Sequence, residues 1–162
     1  PEEVERAGGK PIRERVGHAF IKQTMRKHEA AIGGELSGHF YFRDHWYADS
    51  GLMACARILS IVSSGPETLE QRVAPYRRYH ATGESNFHVE DKEAAMERVS
   101  SAFQDATQDR LDGITIAFPH WWCNVRASNT EPLLRLNLEA DTAALRDEMR
   151  ARLVELIGGR PE

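Results

Sequence analysis

The stretch Arg126-Ala127-Ser128-Asn129-Thr130-Glu131-Pro132, running into Leu133-Leu134-Arg135-Leu136-Asn137-Leu138, decides how this chain is read. Leu134, Leu136 and Leu138 alternate with polar residues, the period of a strand with one buried face. Upstream, Ile114, Ile116 and Phe118 alternate in another strand, and Pro119-His120 turns the chain. Trp121-Trp122-Cys123-Asn124-Val125 then forms a strand that delivers Arg126 into the loop. The loop concentrates a guanidinium, two hydroxyls and a carboxamide. A dianionic phosphate wants this set: a planar fork for two oxygens, and short neutral donors with backbone N–H groups for the rest. The same residues read equally well as an Asn/Ser/Thr turn between two strands, with Arg126 solvated.

Working outward, Phe87 and Val89 mark a strand, and Asp91 caps a helix that turns Met96, Val99 and Phe103 inward. After the leucine strand, Asp141 or Thr142 caps a last helix with Leu145, Met149, Leu153, Leu156 and Ile157 buried. Gly158-Gly159 stops it. The order β-α-β-β-β-α predicts a four-stranded, mainly antiparallel sheet with two helices on one face, over residues 86–162. Ser63-Ser64-Gly65-Pro66 breaks the pattern ahead of it, so residues 65–85, with a short helix at 69–72, are read as a connection.

Residues 1–64 read as strands alternating with helices, an α/β layer with a mostly parallel sheet. Strands are expected at 12–16, at Ala30-Ala31-Ile32 and at Phe40-Tyr41-Phe42, with a helix from His18 to His28. Asp49 or Ser50 caps a further helix whose apolar face is Leu52, Cys55, Ala56, Leu59 and Val62. Between the short strands lies Gly33-Gly34-Glu35-Leu36-Ser37-Gly38-His39. Glu35, Ser37 and His39 stand at alternate positions, so in an extended loop they point the same way. A carboxylate accepts from two vicinal hydroxyls, and a serine and a histidine give or accept. By itself this segment reads more simply as a Gly-rich bend after a buried strand.

Composition excludes several classes. Hydrophobic residues are 41% and charged residues 28%, ordinary values for a packed globular protein. A net charge of −4 argues against a nucleic-acid module, whose footprint is basic. No apolar run approaches the roughly 20 residues of a membrane span, and no signal peptide is evident. The expectation is a cytoplasmic protein with no nucleic-acid or membrane partner. Cys55 and Cys123 are isolated thiols on an apolar helix and a strand, read as small core residues.

Together the two loops resemble one family, the α-D-phosphohexomutases, in particular bacterial phosphomannomutase/phosphoglucomutase. That family's sugar-recognition loop reads Gly-Glu-Met-Ser-Gly-His; here it is Gly34-Glu35-Leu36-Ser37-Gly38-His39, with Leu for Met. Its phosphate loop reads Arg-(Ala or Pro)-Ser-(Asn or Gly)-Thr, often with Glu-Pro after it, and Arg126 to Pro132 matches throughout. Val16-Gly17-His18-Ala19-Phe20-Ile21-Lys22 is similar to the family's Gly-His segment, which opens a helix and places a histidine in the cleft. The family's Thr-Ala-Ser-His-Asn-Pro phosphoserine loop and Asp-Gly-Asp-Gly-Asp-Arg magnesium loop are not found in these 162 residues.

The resemblance therefore implies a C-terminal fragment: part of domain 3 over 1–64, and over 86–162 the C-terminal domain 4, TATA-binding-protein-like in fold. It implies an isomerase-class phosphotransferase that interconverts hexose 1-phosphate and hexose 6-phosphate. The route is a phosphoserine and a bisphosphorylated sugar, glucose or mannose 1,6-bisphosphate. Mg2+ would be held by the rest of the enzyme, and the expected partners are a hexose phosphate and the missing N-terminal domains of the same polypeptide. On that reading Arg126, Ser128, Asn129 and Thr130 hold the phosphate that is not reacting. Glu35 and Ser37 read the 3- and 4-hydroxyls, and His39 and His18 either move protons or contact phosphate or sugar. The fragment alone is expected to be inactive. A non-catalytic phosphosugar-binding module is the alternative. Arg135 reads as an extra phosphate charge or as a solvated or ion-paired residue. Trp121-Trp122 reads as core packing, with one ring inside and one over the sheet edge.

Overall fold

Side-chain caps start most of the longer helices. Ser50 Oγ accepts from the N–H of Met53 (3.2 Å), Asp91 Oδ1 from Ala94 (2.9 Å) and Thr142 Oγ1 from Leu145 (3.2 Å). Each satisfies a donor that the first turn leaves orphaned. In this computed structural model, which describes residues 1–128 and 131–161, the chain divides into two units, Pro1–Tyr76 and Arg77–Glu162. The division falls inside the 65–85 segment read as a connection.

The first unit holds helix α1 (Glu2–Arg6), α2 (His18–His28), strands β1 (Ile32–Gly34), β2 (Phe40–Phe42) and β3 (Ala48–Asp49), then α3 (Gly51–Ser63) and α4 (Leu69–Val73). The strands form a sheet in the order β1-β2-β3, antiparallel throughout, with Gly33 opposite Tyr41. This corrects the mostly parallel sheet that alternation of strands and helices suggested. The turn after β1 is too short for a crossover, which needs a dozen or more residues. Ile21 and Met25 of α2 bury against Tyr41. Gly33 makes that contact possible, since a Cβ there would stand 2.8 Å from Met25 Sδ.

Two other expectations fail here. Residues 12–16 form no strand, because no neighbouring strand completes a ladder for them among the described residues. The periodicity of α3 is helical as read, but none of its residues is buried: Leu52 is 82% and Leu59 60% exposed, and Cys55 is exposed. An amphipathic pattern says which face would bury; burial also needs an opposing surface.

The second unit contains β4 (His80–Ala81), β5 (Ser85–His88), α5 (Lys92–Ala102), β6 (Thr107–Asp109), β7 (Ile114–Phe118), β8 (Trp121–Ala127), β9 (Leu133–Ala140), α6 (Ala143–Ile157) and β10 (Arg160–Pro161). All pairings are antiparallel, in the order β10-β5-β9-β8-β7-β6, with β4 also on β9. The central four, β5-β9-β8-β7, are the strands read from alternation. The edge pieces β4, β6 and β10 have two or three residues each, too few to show a period. Val125, Leu134, Leu136 and Leu138 bury with Val99 of α5 and Leu153 and Ile157 of α6 in one core. Gly158 ends α6 in the left-handed conformation, φ +67°. Trp121 stacks on Phe118 inside, ring centroids 5.1 Å apart, while Trp122 lies on the open face and donates to Glu139. Among the described residues no helix is long and apolar enough to cross a membrane.

Leu136→Ala should destabilise the second unit by about 2–5 kcal/mol, the cost of a cavity in a closed core. Leu59→Gln on the exposed face of α3 should shift stability by no more than about 0.5 kcal/mol. Denaturant midpoints of the 162-residue chain and its two variants check both.

Candidate functional site

Each unit carries one cluster of chemically able side chains. In the first, Gly17 (φ +135°) turns the chain so that His18 opens α2. The β1–β2 hairpin is closed by two backbone bonds, Glu35 N–H to His39 C=O and Gly38 N–H to Glu35 C=O, both 3.0 Å. Gly38, at φ +86°, supplies the turn's left-handed residue. Glu35 and His39 thus flank one tight turn, and the rings of His18 and His39 meet edge-on with centroids 4.7 Å apart. Ser37 Oγ lies 2.9 Å from His39 Nδ1.

Tyr41, fully buried beneath, ties this cluster together. Its hydroxyl donates to Glu35 Oε1 and lies 2.8 Å from His18 Nδ1. A phenol has one proton, so with that proton given to Glu35 the tyrosine oxygen accepts from His18 Nδ1–H. The Nε2 of His18 is then left with its lone pair. Burial first, then the bond to Glu35 and the charges of Glu35 and Asp49, push the Tyr41 hydroxyl above its ordinary range. Asp49 Oδ1 sits 3.8 Å from His18 Nδ1 and 3.4 Å from Lys22 Nζ. Its own backbone N–H first, and Lys22 and His18 after it, hold its carboxyl below the usual value against the opposing effect of burial.

In the second unit the β8–β9 register puts Arg126 directly opposite Arg135, and Arg135 opposite Asn86 of β5. Glu84 bridges the two guanidinium groups: Arg126 Nη2 donates to Oε2 (2.9 Å) and Arg135 Nη1 to Oε1 (3.1 Å). Arg135 Nη2 also donates to Glu131 (2.8 Å). The Arg135 Nε and Asn86 Oδ1 atoms are buried and hold no hydrogen-bond partner among the described residues. Ser128 is buried, its backbone N–H donating to Leu133 C=O at 2.9 Å. Asn129 and Thr130, also read as phosphate donors, lie outside the described residues. Gly113 (φ +69°) fits against this strand end because it has no side chain; a Cβ would come within 2.3 Å of Val125 O and 2.6 Å of Arg126 Cα.

Of the residues read as sugar-binding or catalytic, His18, Glu35, Ser37 and His39 are thus gathered in one cluster, while Arg126 and Ser128 lie in the other. Sequence reasoning passed over Tyr41, Asp49 and Lys22, and over Glu84. Tyr41 continues the alternation 35, 37, 39 and was within reach of that signal. Glu84 carried none, since only cross-strand register brings it to the arginines.

Residues 1–79 match the family model described as "Phosphoglucomutase/phosphomannomutase, alpha/beta/alpha domain III". Residues 84–156 match "Phosphoglucomutase/phosphomannomutase, C-terminal domain". A phosphomannomutase of Methanocaldococcus jannaschii is 42% identical over 157 residues, covering 97% of this chain and 35% of that protein. A Xanthomonas campestris protein named "Phosphohexose mutases" is 43% identical over 162 residues, covering 98% of this chain and 36% of its own length. A crystal structure of a phosphoglucomutase/phosphomannomutase family protein from Burkholderia thailandensis superposes with a TM-score of 0.81 at 26% identity, over 99% of this chain and 36% of that one. The chain spans about a third of the length of the curated relatives it matches.

Tyr41 should make the first unit alkali-sensitive. Its folded pKa is raised, so the folded state keeps the proton longer; the stability this brings is complete below the ordinary tyrosine value of about 10 and is lost as pH rises beyond it. Tyr41→Phe should flatten the alkaline fall in thermal midpoint, whereas Phe at the exposed Tyr76 should not. Separately, Gly113→Ala should lower the denaturant midpoint by an amount worth at least about 1–3 kcal/mol, the cost of a left-handed non-glycine residue, to which the clash of its Cβ with the Val125–Arg126 backbone adds.

Proposed function

We propose, from the premise that this chain belongs to the phosphoglucomutase/phosphomannomutase family and carries its domain III and C-terminal domain, that it supplies the hexose-phosphate grip of a phosphohexomutase. The parent reaction would interconvert hexose 1-phosphate and hexose 6-phosphate through a phosphoserine and a bisphosphorylated sugar. The observation that carries this reading is the arginine pair. Two guanidinium groups face each other across a ladder and share one carboxylate, the buried Arg135 Nε–H being unmatched among the described residues. Such a place suits a dianion, whose oxygens would take the forks that Glu84 holds. Ser128 is built in beside it, and Asn129 and Thr130 complete the donor set by sequence.

The first cluster suits hydroxyls rather than charge. Glu35 keeps one carboxylate oxygen on Tyr41 and has the other to accept from a sugar hydroxyl. Ser37 and His39 are already bonded to each other and offer one gated donor–acceptor pair. His18, with Nδ1–H given to Tyr41, presents an Nε2 lone pair able to take a proton from a hydroxyl. A mutase must bind its intermediate in two orientations, so the phosphate it is not transferring and the hydroxyls common to both poses are the parts worth holding.

The Mg2+ that the family implies does not fit the residues here. Mg2+ takes oxygen ligands in near-octahedral geometry, while the one metal-capable group among the described residues is two histidines and a glutamate. No phosphoryl-transfer step is therefore assigned to these residues. A non-catalytic phosphosugar-binding module would need the same two clusters. As far as these 162 residues go the two readings look alike; a serine loop and a triple-aspartate loop elsewhere in the parent polypeptide would decide for the mutase.

Calorimetric titration of the 162-residue chain with mannose 6-phosphate tests the grip. Arg126→Ala should weaken binding by ~1.5–3 kcal/mol, the range for hydrogen bonds to charged groups. Lysine at 126 should recover only part, because the planar fork is lost. Unaltered affinity in Arg126→Ala would reduce the loop to a turn. The chain should turn over no mannose 1-phosphate; conversion to the 6-phosphate would overturn the division of labour. Glu35→Gln should lower sugar-phosphate affinity ten- to a hundred-fold, roughly the loss of one charged hydrogen bond, while leaving the thermal midpoint and inorganic phosphate binding in place.

A further inference from the structure

We propose that His18, Glu35 and His39 bind a divalent transition-metal ion of the Zn2+ class, and that the ion and a sugar exclude one another at this loop. One nitrogen from each ring and one carboxylate oxygen lie within 4.8 Å of one another. Around a tetrahedral zinc, with bonds of about 2.0–2.1 Å, ligand atoms stand roughly 3.4 Å apart. The three atoms thus need to draw in by something over an ångström at most. Torsions of the exposed His18 and His39 side chains, and of Glu35 on a turn bounded by Gly34 and Gly38, cover that distance.

The donor set decides which ion. Two imidazoles and one carboxylate, with a fourth place open to solvent, is the ligand complement of an open zinc site. Hard cations such as Mg2+ or Ca2+ want a shell of oxygens, and this cluster offers a single carboxylate. Imidazole suits zinc and the later first-row metals instead.

The surroundings are those a ligating histidine requires. A metal-bound imidazole ordinarily gives its other ring N–H to a fixed acceptor, which sets tautomer and orientation. His18 has this in the buried Tyr41 hydroxyl, with Asp49 3.8 Å from the same nitrogen. His39 has Ser37 Oγ at 2.9 Å from its Nδ1. Each ring therefore keeps one nitrogen occupied by the protein, and the Nε2 of each holds no protein partner among the described residues. Tyr41 holds one oxygen of Glu35, so the second carboxylate oxygen is not taken by that bond.

The mutual exclusion rests on the hydroxyl-reading role proposed above; the metal site does not. An ion on Glu35 and both histidines removes the acceptors a sugar would use, so zinc would act as a competitor of hexose phosphate.

The test titrates ZnCl2 into the untagged 162-residue chain by calorimetry, with Co2+ absorption as a report of nitrogen-rich tetrahedral coordination. One ion per chain is expected, with affinity falling at least about tenfold in each of His18→Ala, His39→Ala and Glu35→Gln. Ser37→Ala keeps all three ligands and should weaken binding less, by severalfold. Cys55→Ser and His120→Ala, which remove an exposed thiol and an exposed His–Asp pair elsewhere, should leave binding unchanged. Thermal midpoints of the variants show that each is folded. Binding that survives in the variant lacking all three ligands, or that vanishes with Cys55, overturns the site, as does no binding at ~100 µM metal. Mannose 6-phosphate affinity is then measured with and without one equivalent of Zn2+, and a loss of about tenfold or more is expected. Zinc bound through the three residues with sugar affinity intact would leave the metal site standing and overturn the exclusion.

Discussion

Two guanidinium groups directly across a β ladder repel each other, and the carboxylate of Glu84 lets the β8–β9 register stand. That register puts Arg126 opposite Arg135. Like charges so placed destabilise a sheet. The cost is the greater here because the Arg126 side chain is only 11% exposed and water screens it poorly. The pairing cannot slip to relieve the repulsion. Side chains alternate with a period of two, so a one-residue shift would carry Val125, Leu134, Leu136 and Leu138 out of the core. Hydrophobic burial on one face thereby enforces an electrostatic arrangement on the other. Glu84 answers it between both guanidinium groups, and Glu131 on Arg135.

The first unit presents a different arrangement. On the hydroxyl-reading role proposed for it, oriented donors and acceptors matter more than a concentration of charge. The orienting element is a buried phenol. Tyr41 sits under the hairpin because β2 alternates, placing its ring against Ile21 and Met25 and its hydroxyl between Glu35 and His18. One proton on that oxygen settles which nitrogen of His18 is basic. The ring that fills the core is thus also the ring that sets the chemistry of the surface above it. The two histidines and glutamate that this floor holds together suit a sugar and a nitrogen-loving metal for the same reason: lone pairs converge on one small volume.

Gly33 and Gly113 share a role in building the two clusters. Each stands where a backbone lies hard against another element, Gly33 on Met25 and Gly113 on the Val125–Arg126 backbone. The first brings the hairpin down onto α2, so that Glu35 and His39 reach His18. The second closes the turn into β7 against the last residues of β8, where Arg126 pairs with Arg135 of β9. In both places a close backbone approach depends on a residue that has no side chain.

The sequence by itself determined what is local or periodic. Alternation marked the four central strands of the second unit, and capping candidates at 49 or 50, at 91, and at 141 or 142 marked three helix starts; the structure decided for Ser50 and Thr142. The motif loops named Glu35, Ser37, His39, Arg126 and Ser128 as a set. Tertiary structure alone decided what depends on partners. The strands of the first unit pair antiparallel, 12–16 finds no ladder, and Cys55 with the rest of the α3 apolar face stays exposed, because a pattern states a preference for burial and another surface has to meet it. Glu84 reached Arg126 and Arg135, and Tyr41 reached His18, through register and packing across 42, 51 and 23 residues of chain. Such meetings leave no period to read along a chain; they exist only once hydrophobic burial has fixed which face of each strand turns inward.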